Sequence, residues 1–191
     1  AAFGGEGVET LSLARIAATR ARVRRLALPE LREAVEVMAR FAPLSAVEAM
    51  DTHGARIAGS EAERMDPRVV RRIRMGEKMT AVDLIRLLDA RRRLIAATVD
   101  RLGDAILLCP TTPGVAMPIA PLEADMELFF HHNFRTLRNT SLGNFLDWCG
   151  LSVPNGADAD GMPTGLLLNA AHGRDRALLA AGLALEAAIR G

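Results

Sequence analysis

Gly103-Asp104-Ala105-Ile106-Leu107-Leu108-Cys109-Pro110 holds an apolar run of strand length between a glycine and a proline. Apolar side chains on both faces of the pleat fit an interior strand of a sheet covered by helices. Downstream comes a Pro- and Gly-rich loop, Pro110 to Pro121, and then a helical stretch from about Met126 to Trp148. Leu151-Ser152-Val153 and Thr164 to Leu168 are two further short strands. Asn155 to Pro163, rich in Gly, Asp and Pro, connects them as a turn. An alanine-leucine helix from Asp175 to Ile189 closes the chain.

Upstream of Gly103 the pattern is helical. Apolar residues from Val8 to Ala21 recur at helical spacing. Arg22 to Leu28 roughly alternates and stops at Pro29, which predicts a short strand. Helices are expected over Glu30–Phe41 and from Pro43 to about Ile57, ended by Gly59-Ser60. Asp66-Pro67 is an N-cap and first-turn pair for a basic helix to Met75, terminated by Gly76. Thr80 caps the longest helix, with Asp83 three residues on as in a capping box, and Gly103 ends it after Leu102. The fold class is therefore α/β: a single domain over 1–191, with a helical first half (1–103) and a strand-containing second half (104–191).

The chain has 191 residues, half of them apolar and a quarter charged. Its 24 basic and 23 acidic residues leave a net charge of +1, which excludes broad electrostatic capture of nucleic acid or an anionic membrane. No segment approaches the ~18 to 20 apolar residues of a membrane span, and no leader pattern is read. Two cysteines without metal spacing fit reduced thiols in the cytoplasm. Lys78 is the single lysine, every other basic residue being arginine. The chain opens at Ala1, not methionine, and is read as a portion of something longer.

The common catalytic cassettes are missing: no GxSxG elbow, Walker loop, HExxH or GxGxxG. Gly4-Gly5-Glu6-Gly7 follows no strand and is not read as a phosphate loop. His131 and His132, adjacent on a helix, point about 100° apart and do not face one metal together. Cys149 and His172 would form a nucleophile–base pair only if the fold joined them. On the long helix, Leu84, Leu88, Ile95, Val99 and Leu102 form an apolar stripe. Arg91 and Arg92 flank that stripe and Arg93 faces away. An arginine at such an edge serves either as a structural ion pair or as a clamp on a carboxylate.

Taken together, several of these segments resemble the second half of amidase signature enzymes. Asp104 to Pro113 resembles that family's strand and Pro-Thr loop. Asn144-Phe-Leu-Asp-Trp-Cys-Gly-Leu-Ser-Val-Pro154, followed by Gly156, is similar to its stretch from an Asn-Leu pair into Ser-Val-Pro-x-Gly. Pro163-Thr-Gly-Leu-Leu-Leu168 resembles its Pro-x-Gly-Leu-Gln-Leu strand, and the helix from Asp175 to beyond Glu186 its terminal helix. Asp66-Pro-Arg-Val and the helix after Met79-Thr80 also fit. Where the family often has Gly-x-Pro, this chain has Asp147 and Cys149. The Leu-Asp-Trp-Cys form is closer to allophanate-hydrolase-like members.

The resemblance implies part of an amidase-type mixed sheet under helical cover, in the C-terminal portion of a hydrolase of carboxamide C–N bonds. Such enzymes acylate a serine of a Ser–cis-Ser–Lys triad and then hydrolyse the acyl-enzyme. The segment carrying that triad is not in this sequence, and Lys78 has no matching motif. The chain alone is therefore expected to be inactive. The resemblance places Thr111, Thr112, Asn144 and Asp147 nearest the substrate, and Arg92 on a substrate carboxylate. It implies no cofactor, no metal and, once the chain is joined to the missing N-terminal half, a small amide as substrate. A homo-oligomer is expected because a cut sheet exposes an edge and an apolar face. The alternative is a non-enzymatic amidase-like module that oligomerises or binds a ligand or partner.

Overall fold

A computed structural model describes residues 22–190. The expected helix at Val8–Ala21 and the Gly4–Gly7 segment lie outside the described residues. Arg22 to Leu28, predicted as a strand, forms neither strand nor helix. Its side chains from Arg22 to Ala27 are exposed, so the alternation had no buried face to specify it.

The chain divides into two compact units, one of them Glu30–Leu94. Its first helices are α1 (Pro29–Arg40) and α2 (Leu44–Ala58), burying Leu31 and Ala34 from one and Ala46 and Ile57 from the other. A 3₁₀ turn, Ser60–Arg64, leads to α3 (Pro67–Arg74). Pro67 takes the first turn of α3, and the Asp66 carboxylate accepts the Arg68 backbone N–H at 2.8 Å. Gly76 does not end this segment. It lies buried inside a second 3₁₀ turn, Met75–Lys78, where any Cβ would overlap the Ala46 carbonyl of α2. Its missing side chain serves close approach and not termination.

Helix α4 spans Ala81–Leu102 and begins with the expected capping box. Thr80 Oγ1 accepts the Asp83 backbone N–H at 3.1 Å and donates to the Asp83 carboxylate at 2.7 Å. Gly103, at φ +52°, ends it in the left-handed conformation. The buried stripe is rotated from the one expected: Leu87, Leu94, Thr98 and Leu102 are buried, whereas Leu88 and Val99 are exposed. Thr98 enters the stripe because its hydroxyl bonds back to the Ile95 carbonyl at 3.0 Å, which satisfies it locally. Arg93 does not simply face away. Its guanidinium forms a two-pronged pair with Glu33 of α1 and holds that carboxyl below its ordinary value.

The second unit, from Ile95 onward, carries all the described strands. These are β1 (Leu107–Pro110), β2 (Cys149–Ala157) and β3 (Pro163–Ala170), in the order β1-β3-β2 with both pairings antiparallel. Among the described residues, β3 has neighbours on both sides and β1 lies at an edge, contrary to the interior position expected for it. The helices are α5 (Ile119–Ala124), α6 (Met126–Phe145) and α7 (Asp175–Arg190). The short α5 begins within the expected Pro-Gly loop. Asp125 then caps α6 by accepting the Glu127 and Leu128 backbone N–H groups. Helix α6 ends three residues before Trp148, where Asp147 turns to φ +58°.

One sheet face, with Val153, Leu166, Leu168 and Ala170, packs with Leu178 and Ile189 of α7 as the core. Gly182 lets α7 approach β2 so closely that a Cβ there would overlap Leu151. On the opposite face, the Asn169 side chain lies between Gly143 of α6 and Gly150 of β2. The α/β class expected from the sequence is the class observed.

Candidate functional site

The three strands meet α6 at one end of the sheet, and the polar side chains there form the candidate site. Thr111 follows β1 directly, and its backbone N–H donates to the Gly165 carbonyl of β3 at 2.9 Å. Leu151 and Val153 pack with the core, so strand alternation sends Ser152 to the other face. There Ser152 Oγ and Thr111 Oγ1 share a hydrogen bond of 2.5 Å. Gly165 lies beneath this pair. A Cβ at that position would stand 2.9 Å from Ser152 Oγ and 3.0 Å from Thr111 Oγ1. The two hydroxyls and the bare backbone thus form a small polar cradle built by all three strands.

Two buried asparagines hold the cradle in place. Asn139 of α6 donates its carboxamide N–H to the Pro110 carbonyl at 2.9 Å, fixing the residue before Thr111. Asn155 occupies the β-bulge between Pro154 and Gly156 and accepts the Thr164 hydroxyl at 2.9 Å. Thr112 closes the loop, its hydroxyl donating to the Gly114 carbonyl at 2.7 Å.

The other residues singled out from the sequence lie elsewhere. Asn144 is exposed near the end of α6. Asp147, in the turn after it, meets His172 with Nδ1 to Oδ2 at 3.3 Å, and both are solvent-exposed. Cys149 shares no hydrogen bond with His172. Its Sγ–H is directed at the carbonyls of Ala170 and Ala171, each at 3.5 Å. Arg92 belongs to the Glu30–Leu94 unit, with its side chain 78% exposed and paired to Asp89 one turn back. His131 and His132 stack edge to face with ring centroids 5.4 Å apart. Sequence reasoning passed over Ser152, Gly165 and Asn155. For Ser152 the signal was present, as the polar residue between two core-facing neighbours of a strand.

Residues 8–179 match the Amidase family model, and the chain belongs to that family. It is 31% identical over 178 residues to 2-amino-5-chloromuconic acid deaminase of Comamonas testosteroni, covering 92% of this chain and 37% of that protein. Among solved structures, Kluyveromyces lactis allophanate hydrolase is similar in fold, with a TM-score of 0.79 at 21% identity. That match covers 98% of this chain and 31% of the other. A second, described as an amidase, gives a TM-score of 0.75 at 29% identity, covering 95% of this chain and 41% of that one. The chain thus spans well under half the length of these relatives.

Proposed function

We propose that this chain supplies part of the substrate-pocket wall of an amide hydrolase, with the Thr111–Ser152 hydroxyl cradle at its centre. The reading rests on one observation: three strands and a buried asparagine converge to present the Pro-Thr loop at the sheet end. Thr111 and Thr112 would meet the amide, and Asn144 and Asp147 would lie at the pocket margin. The 191 residues contain no Ser–cis-Ser–Lys triad, so acylation needs residues from outside them. By itself the chain would turn over no amide. Cys109 and Cys149, reduced thiols and not a disulfide, would accord with a cytoplasmic setting. Among the described residues no helix is long and apolar enough to cross a membrane.

Two assays test the reading. Ammonia release from a carboxamide panel and labelling by a fluorophosphonate should both be negative for the 191-residue chain. Turnover that depends on Lys78 would overturn the claim of inactivity. Titration with propionamide should shift the backbone amide resonances of Thr111 and Thr112, and shifts confined to other segments would overturn the pocket assignment.

A second reading, self-association without catalysis, is favoured by α7. Leu179 and Leu183, one turn apart, are 55% and 77% exposed. Sedimentation equilibrium discriminates the two, since a monomer at all concentrations removes the second.

A further inference from the structure

The Glu30–Leu94 unit carries a cleft of about 360 Å³ that the amide-hydrolase reading does not use. It is formed where the end of α1 and the Phe41–Pro43 link meet the Met75–Lys78 turn and the start of α4. Its wall is mostly apolar, from Phe41, Pro43, Met75 and Met79, with three charged side chains among the lining residues: Arg40, Lys78 and Asp83. Few charged groups on an apolar wall, in a volume near the lower end of small-molecule sites, is the composition of a ligand pocket.

The charges favour one sign of ligand. Asp83 is committed to the capping box, where its carboxylate accepts the Thr80 hydroxyl. Lys78 has no ion-pair partner among the described residues. Arg40 lies over the Phe41 ring at 5.3 Å, an arrangement that leaves its N–H edge open to an acceptor. The N-terminus of the 22-residue α4 adds positive potential on the same side. Two cations against one carboxylate leave the lining at +1, which a monoanion neutralises and a dianion exceeds.

We infer that this cleft binds a small amphipathic monocarboxylate, its carboxylate between Arg40 and Lys78 and its apolar body against Phe41, Met75 and Met79. The inference uses no residue of the Thr111–Ser152 cradle, so the two stand or fall separately.

The single lysine makes the test direct. Reductive methylation with ¹³C-formaldehyde places one side-chain probe at Lys78 in the 191-residue chain, and ¹³C-methyl methionine places others at Met75 and Met79. Benzoate should shift all three resonances along one saturable curve. Benzamide, of the same shape without charge, should not. Arg40→Gln and Lys78→Gln, both at exposed positions, should each weaken benzoate binding about tenfold, read at the methionine methyls, with the circular dichroism spectrum unchanged. Three results would overturn the inference: no saturable shift, equal shifts with benzamide, or unchanged affinity in both variants. Benzoate moving the lysine probe no more than inorganic phosphate does, and leaving the methionine methyls unmoved, would also overturn it, since that is point-charge attraction alone.

Discussion

Asn139 and Pro110, 29 residues apart in sequence, are joined by a buried hydrogen bond of 2.9 Å from carboxamide N–H to carbonyl oxygen. Proline ends the strand and supplies a carbonyl with no N–H of its own. The helix α6 supplies the missing donor, and the loop that begins with Thr111 is thereby fixed to it. Asn139→Ala leaves that carbonyl without a partner in a dry setting. The expected cost is roughly 1–3 kcal/mol in urea unfolding. Asn144→Ala, at an exposed site five residues on, should change stability by about 0.5 kcal/mol or less. Equal effects of the two would remove the anchoring role.

The Thr111–Ser152 bond makes its own prediction. Each hydroxyl is the other's partner, so removing either one breaks the bond, while removing the second costs no further hydrogen bond. The pair Thr111→Val and Ser152→Ala should therefore show a coupling of about 0.5–1.5 kcal/mol in a double-mutant cycle. Strict additivity would show that water already satisfies both groups.

Gly182 is expected to reject the substitution that helix propensity favours. Alanine gains roughly 1 kcal/mol over glycine in a helix interior. Here its Cβ would overlap Leu151, and overpacking of that kind costs about 1–3 kcal/mol. Gly182→Ala should thus lower the thermal midpoint, and on a Leu151→Ala background, itself less stable, the same substitution should cost less. A raised midpoint for the single variant would show that β2 yields to the added methyl.

How far the sequence discloses this molecule depends on how local each determinant is. The Thr80–Asp83 box, the Asp66-Pro67 start and the Gly103 stop are written within four residues, and all three form as read. Leu166 and Leu168 lie in a run long enough to mark a strand. The failures are non-local. Arg22 to Leu28 alternates, but a strand needs a partner that alternation does not supply. The α4 stripe was misplaced because Thr98 counts as polar in a pattern yet is buried through its bond to Ile95. Gly76 has the look of a helix stop, whereas the Ala46 carbonyl thirty residues earlier explains it. At the candidate site, the Pro-Thr loop was legible through family resemblance. The Ser152 and Gly165 contributions depend on the register of β2 and β3, which neither strand contains alone.

Asp66 gives the pH prediction. Its carboxyl is lowered from 3.8 to about 2, first by the Arg68 guanidinium and then by the Arg68 backbone N–H it caps. Arg68 Nη2 stands 2.6 Å from one carboxylate oxygen, and the backbone nitrogen 2.8 Å from the other. Because the folded value is the lower one, the cap contributes in full above pH 3.8, where both states are ionised. As the pH falls from there towards 2, the unfolded chain takes up its proton first and that contribution is lost. Carboxyl-carbon NMR of the folded chain should show Asp66 titrating with a midpoint of about 2. Asp66→Asn keeps a side-chain acceptor at the N-cap but no longer titrates. Between pH 4 and 2, stability in that variant should therefore fall less steeply than in the parent chain. A folded midpoint near 3.8, or identical slopes in the two proteins, would show that Arg68 does not hold the carboxylate in solution.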